Sequence, residues 1–342
     1  MKVLVTGHNG YIGTILVPLL LAEGHQVVGL DINLYQRSVL GSHTPYKSNI
    51  FKDIRDVKRS DLEGFDAIIH LAGLSNDPLG YLNPKITYQI NYEASLYLAR
   101  LAKQAGVQRF LFASSCSIYG STEETIINEE AESSPLTPYA RSKLLVEQEV
   151  SRLADTSFSP TYLRSGTAYG VSPLLRFDLV INNLAAWAYT TGKIYLKSDG
   201  SPWRPVVHIE DIARAFIEVL QASRSLIHNQ AFNVGVTEEN YRISQLAEII
   251  KNVAPDCEVV YSPDAGPDKR SYRVDCSKII KALNFSPKWN ARKGIKEIFE
   301  FLSRVGLKFE DFEGARYNRA SHIRYLLGTG HLDSELRWRT SA

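Results

Sequence analysis

Apolar and polar positions alternate along the first half of the chain with two distinct periods. Residues 2–6, 26–30, 67–71, 109–114 and 161–164 are short runs, several of them apolar on both faces. That is the pattern of strands in a parallel sheet covered by helices. Between them, residues 11–23, 88–105 and 139–154 carry apolar positions at helical spacing. Strand–helix–strand repetition of this kind predicts an α/β fold, a Rossmann-type doubly wound parallel sheet. Pro18 lies inside the first helical stretch and predicts a kink there.

Beyond about residue 170 the alternation weakens and Pro, Asn and Gly become frequent. Segments 177–192, 209–222 and 244–253 still read as helices, and 231–234 reads as a short strand. The expected organisation is a sheet domain over 1–170, with segments near 205–235 returning to it, and a smaller mixed α/β lobe over 171–314. A basic, aromatic extension over 315–342 predicts a helix packed on the surface or on a partner subunit.

Charge narrows the possible partners. The 39 basic and 37 acidic residues are interspersed and leave a net charge of +2, which excludes the concentrated basic face of a nucleic-acid binder. Cys116, Cys257 and Cys276 are too few and too scattered for a disulfide framework or a zinc site. No metal is therefore expected, and a reducing cytoplasm is the expected compartment. Residues 2–5 run directly into a glycine loop, so no leader peptide is expected. No apolar stretch approaches the roughly 20 residues that span a bilayer, so no membrane is expected either.

The first strand ends in Thr6-Gly7-His8-Asn9-Gly10-Tyr11-Ile12-Gly13. Glycines at 7, 10 and 13 let the backbone turn tightly and let a pyrophosphate approach the N–H groups of a helix start. Asp31, 18 residues after Gly13, closes the second strand. A carboxylate there accepts from both ribose hydroxyls of adenosine and repels a 2′-phosphate, so NAD is the expected cofactor. Asp53 and Ile54 follow the third strand, where an acid and an apolar neighbour bracket an adenine.

Tyr139-Ala-Arg-Ser-Lys143 supplies the candidate chemistry. Thr137 is a plausible N-cap and Pro138 a first helical residue, which places Tyr139 and Lys143 on one helix face. A phenol is a poor base at neutral pH, and an ammonium one turn away together with the helix N-terminus would stabilise its anion. Ser115, in Ser114-Ser115-Cys116-Ser117, ends the fourth strand, where its hydroxyl can hold a substrate oxygen against Tyr139.

Taken together these residues resemble the extended short-chain dehydrogenase/reductase family, in its NAD-dependent nucleotide-sugar epimerase and dehydratase group. The pieces are the glycine loop, Asp31, Asp53-Ile54, His-Leu-Ala-Gly over 70–73, Asn91, Ser-Ser-x-x-Ile-Tyr-Gly over 114–120, Tyr-x-x-x-Lys over 139–143 and Arg-Pro-Val-Val-His-Ile-Glu-Asp over 204–211. The resemblance implies that Leu71, Ala72, Gly73 and Ser114 lie along the cofactor and that Asn91 supports the active-site helix. It implies a nucleotide-diphosphate sugar as substrate, with Asn183, Arg204, Asp268 and Arg270 near its diphosphate or nucleotide, and Ser75, Ser117 and Thr167 near the sugar. A homodimer is also implied.

Departures narrow the reaction. Sugar 4,6-dehydratases of the family place Asp-Glu directly after the catalytic hydroxyl residue, and its decarboxylases also carry the Glu; here Cys116-Ser117 stand there. Cys116 is one residue out of register with the cysteine of the 3,5-epimerase/reductases, and on a strand that turns it to the other face, so it reads as a small buried residue. Thr167 replaces an Asn that usually touches the sugar. The expected activity is an NAD-dependent epimerase, most plainly at C4. An NAD(P)H-dependent nucleotide-4-keto-sugar reductase, another nucleotide-sugar dehydratase-type enzyme and a non-catalytic NAD sensor stand as alternatives.

Overall fold

Val3, Leu4 and Val5 are all fully buried because the strand they form is packed from both faces. The structure is a computed structural model that describes residues 1–75, 77, 80, 83–266, 268 and 270–339. Its main sheet is built from β1 (Lys2–Thr6), β2 (Gln26–Asp31), β3 (Asn49–Phe51), β4 (Ala67–His70), β5 (Arg109–Ser115), β6 (Ser159–Ser165) and β7 (Gln230–Val234). All seven pair in parallel, in the spatial order β7-β6-β5-β4-β1-β2-β3. The chain leaves β1 toward β2 on one side and later crosses to β4 on the other. A crevice opens at the carboxyl ends of the strands where the order reverses.

Alternate residues of each strand feed two cores. Val3, Val5, Ile69, Leu111 and Leu163 pack against α1 (Gly13–Ala22) and against α5 (Ile209–Gln221). Leu4, Ile68, Phe110 and Phe112 face the other way onto α2 (Ala94–Gln104) and α3 (Pro138–Ser151). Pro18 does not end α1, which runs on to Ala22 with the proline ring on its exposed side.

The smaller lobe packs α4 (Val180–Thr191), α6 (Ile243–Val253) and α7 (Ala291–Val305) around Leu184, Leu246, Ile250 and Ile298. Only part of the 205–235 span returns to the main sheet. α5 and β7 do so, whereas Trp203–His208 pairs with Thr167–Tyr169 and Asn240–Arg242 in a separate sheet beside the crevice. The extension forms α8 (Arg319–Gly328), whose Ile323 and Leu326 join the α2/α3 core of the same chain. Among the described residues, no helix is long and apolar enough to cross a membrane.

Candidate active site

The glycine loop forms the floor of the crevice. Gly7 has φ +73°, and a Cβ there would stand 2.7 Å from the Ala72 nitrogen; one at Gly13 would meet the Gly7 oxygen at 2.5 Å. Only glycine lets the loop lie this close to Leu71–Gly73 while α1 begins. Thr14, Ile15 and Leu16 donate back to the Gly10 and Ile12 carbonyls, so the backbone at the very start of α1, together with the helix dipole, forms the cradle for an anion. Beneath the loop, Thr6 Oγ1 and His70 Nδ1 lie 2.6 Å apart, and His70 Nε2 lies 2.8 Å from Ser95 Oγ. Burial pulls His70 down to about 3, so this bridge between β1 and β4 is neutral.

Asp31 stands at the end of β2 and accepts from the Asn33 and Asn9 amides at 2.8 and 3.1 Å. Burial pushes its carboxyl up, against those amide bonds. Ile32, Leu34, Tyr35, Lys52, Asp53 and Ile54 continue the wall. Two buried polar atoms on this wall, the Tyr35 hydroxyl and Arg319 Nη1, have no hydrogen-bond partner in the protein. A tight glycine cradle, a carboxylate at the strand end and these orphaned donors fit a dinucleotide.

α3 carries the reacting groups. Thr137 Oγ1 accepts from the Ala140 amide at 3.1 Å and Pro138 opens the helix, so Tyr139 enters at its first turn. Tyr139, Lys143 and Ser115 all border one cavity of about 800 Å³, a volume suited to a small-molecule substrate. Burial pushes the Tyr139 phenol up to about 12, opposed by the charge of Arg176 and a hydrogen bond from Ser115. Lys143 donates to the Ala113 carbonyl at 2.7 Å and lies 5.8 Å from the centre of the Tyr139 ring, and Arg176 is a second cation whose charge favours the phenolate. Burial also pulls Lys143 down to about 8, against the opposing charge of Glu147.

Arg176 borders both the dinucleotide crevice and the larger cavity, as do Ile12, Leu71, Ser75 and Ala168, so the two are continuous. Burial acts to discharge Arg176, but Asp178, at 2.6 Å, outweighs it and the guanidinium stays charged. Ser117, Thr167, Asn183, Arg204, Asp268 and Arg270 line the larger cavity too. Arg204 donates to Asp268 at 2.7 Å, Asp268 pairs with Arg270, and Arg270 reaches Asp77, which accepts from Thr137 Oγ1 at 2.6 Å. Asn183 donates to the Phe177 carbonyl at 2.7 Å, and the Ser117 hydroxyl is buried without a partner.

Three residues expected beside the cofactor have their side chains engaged within the protein. Ser114 points its hydroxyl inward to Glu147, because adjacent strand positions face opposite ways and Ser115 takes the cavity side. Asn91 is buried on a π-helical turn (Gln89–Glu93), where it bonds both backbone groups of Leu74 and donates to Ser142, which in turn donates to the Tyr139 carbonyl. It braces α3 and does not border the crevice. Asp53 borders the crevice, but Arg55 grips its carboxylate at 2.6 Å and, despite burial, holds it below the ordinary range. Tyr11 contributes backbone to the loop, while its hydroxyl anchors the smaller lobe by donating to the Gly170 carbonyl at 2.7 Å.

Sequence reasoning missed Arg176, Asp178, Asp77, Tyr35 and Arg319. They belong to no spaced motif, and only the fold brings them together. Cys116 is fully buried with its thiol pushed up by burial, and it donates to the Arg164 carbonyl, away from the cavity.

With this geometry in place, comparison with known proteins is decisive on the family. The model of the NAD dependent epimerase/dehydratase family matches residues 3–235. The chain belongs to that family. It is therefore an NAD-dependent enzyme, and its fold is the family's Rossmann-type sheet. Among relatives within the family, it is 31% identical over 277 residues to a UDP-glucose 4-epimerase of Neisseria meningitidis serogroup C, covering 73% of this chain and 80% of that one. It is 29% identical over 314 residues to a UDP-glucose 4-epimerase of Mycolicibacterium smegmatis, covering 88% and 98%. Among solved structures, MoeE5 in complex with UDP-glucuronic acid and NAD matches with a TM-score of 0.77 at 25% identity, covering 90% of this chain and all of that one.

Proposed function

We propose that this enzyme is a nucleotide-sugar 4-epimerase that keeps its NAD through turnover. The observation that carries the reading is the convergence of Ser115, Tyr139 and Lys143 on one cavity continuous with the glycine cradle. The similarity to UDP-glucose 4-epimerases favours a UDP-hexose or UDP-uronate as substrate. Bound NAD supplies hydride acceptance and return. Tyr139 takes the proton of the C4 hydroxyl as that carbon is oxidised and returns it to the oxygen after the sugar turns its other face. Ser115 orients the oxygen, and Lys143 and Arg176 hold positive charge near the phenol. Asp31 reads the adenosine ribose. Arg204, Asn183, Asp268 and Arg270 hold the diphosphate and nucleotide, while Ser75, Ser117 and Thr167 border the sugar.

Elimination of water is disfavoured on this wall. Cys116 faces away from it, and Asp77, Asp178 and Asp268 each pair with an arginine. We further place the enzyme in the cytoplasm as a homodimer paired through α2 and α3, where Tyr97 is 45% exposed.

The test is to purify the protein without added cofactor, assay its NAD content, and supply UDP-glucose. Conversion to the C4 epimer with no net NADH consumption supports an epimerase. Stoichiometric NADH oxidation on a 4-keto-sugar, with no epimerisation, would replace it by the reductase.

A further inference from the structure

The extension beyond residue 314 lies outside the span matched by the family model, yet it reaches the cofactor crevice. Arg319, the first residue of α8, is 2% exposed and borders the same cavity as the glycine loop. Its Nη2 donates to the Leu174 carbonyl at 3.0 Å, and its guanidinium lies 3.8 Å over the Tyr35 ring. Nη1 is buried without a partner, as is the Tyr35 hydroxyl on the same wall.

A buried guanidinium N–H without an acceptor is costly unless a ligand supplies one. Burial pulls Arg319 down to about 10; Tyr35, Asp178 and Asp31 oppose that pull, and Arg176 adds to it. Arg319 shares the lining of the crevice with Gly10, Gly13 and Asp31, and the phosphates of a dinucleotide lie over a helix start there.

The extension also grips the wall that follows Asp31. Arg316 donates to the Arg37 carbonyl at 2.9 Å, His322 Nε2 to the Leu34 carbonyl at 3.0 Å, and Trp338 Nε1 to the Ile32 carbonyl at 2.6 Å. Behind them Ile323, Leu326, Leu332 and Leu336 are buried in the core.

We propose that the C-terminal extension is a built-in clamp on the cofactor, in which Arg319, with the Tyr35 hydroxyl, holds a phosphate of the dinucleotide and the docked segment slows its release. The inference requires a bound dinucleotide but not the sugar chemistry, so it stands or falls apart from the 4-epimerase reading.

ADP and adenosine, titrated calorimetrically into cofactor-stripped protein, are the probes. Arg319→Met should weaken ADP about tenfold or more and leave adenosine unchanged, with Arg319→Lys partly restoring ADP. Tyr35→Phe should weaken ADP in the same selective way, which keeps the test usable if Arg319→Met folds poorly. Trp338→Ala should speed NAD release from the full-length protein, followed by chase with labelled NAD. Unchanged ADP affinity in both Arg319→Met and Tyr35→Phe, or equal losses for ADP and adenosine, would overturn the phosphate contact. Unchanged NAD release in Trp338→Ala would overturn the clamp.

Discussion

Tyr139 is a neutral phenol in the protein alone, held near 12 by burial while Arg176 and Ser115 pull the other way. A positive ring charge brought in by the oxidised cofactor adds to that pull, which couples proton removal to the presence of NAD. Replacing Tyr139 by Phe should cut turnover about a thousandfold while NAD content is unchanged, read by NMR of the sugar and by absorbance of the released cofactor. Lys143 gives a pH signature. Its folded value of about 8 lies below the ordinary lysine range, because burial disfavours the charge more than Glu147 favours it. Between about 8 and 10.5 the unfolded chain binds the extra proton, so stability should rise with pH across that window; below 8 both states are charged and the dependence vanishes. Urea unfolding at pH 8 and pH 10 should show the rise in the wild type and lose it in Lys143→Met. Turnover should run the other way, falling as the ammonium is discharged above about 8.

The elements holding these residues were legible to different degrees. The glycine loop, the end of β2 and the Tyr139/Lys143 face could be read because each is local, fixed by turn geometry or by one helical turn. Arg176 could not, because its role depends on a loop from the smaller lobe folding back over Tyr11 and Tyr139. Spacing alone could not show that Arg55, two residues away, grips the carboxylate of Asp53 on the crevice wall. Nor could it show that strand alternation sends the Ser114 hydroxyl to the far side. That far side holds a buried device: Arg164 on β6 meets Glu147 on α3 at 2.6 Å, with both side chains at most 10% exposed. Arg164→Ala leaves a buried carboxylate unpaired and should cost roughly 3–5 kcal/mol in denaturant unfolding. The paired change Arg164→Met with Glu147→Leu should recover much of that loss, since it is the uncompensated charge, and not the missing bridge, that destabilises.

Across the whole molecule, two lobes meet at the crevice and the extension locks one of its walls. Leu326 is fully buried in the core cluster that also takes in Leu4 and Leu30 of the main sheet, some three hundred positions earlier in the chain. Leu326→Ala should cost roughly 2–5 kcal/mol, measured by denaturant midpoint, as for other large-to-small changes in a packed core. A helix at the extension was readable from its composition; its place beside the cofactor was not, because no local pattern encodes which surface a terminal helix will cover. The central claim concerns hydride return to the opposite face within one active site. It is tested most directly by giving the purified protein, without added cofactor, a UDP-hexose deuterated at C4 and following the sugar by NMR. The account predicts the C4-inverted product with deuterium still on C4. Inverted product with hydrogen in place of the label, or no inversion while the protein holds NAD, would contradict it.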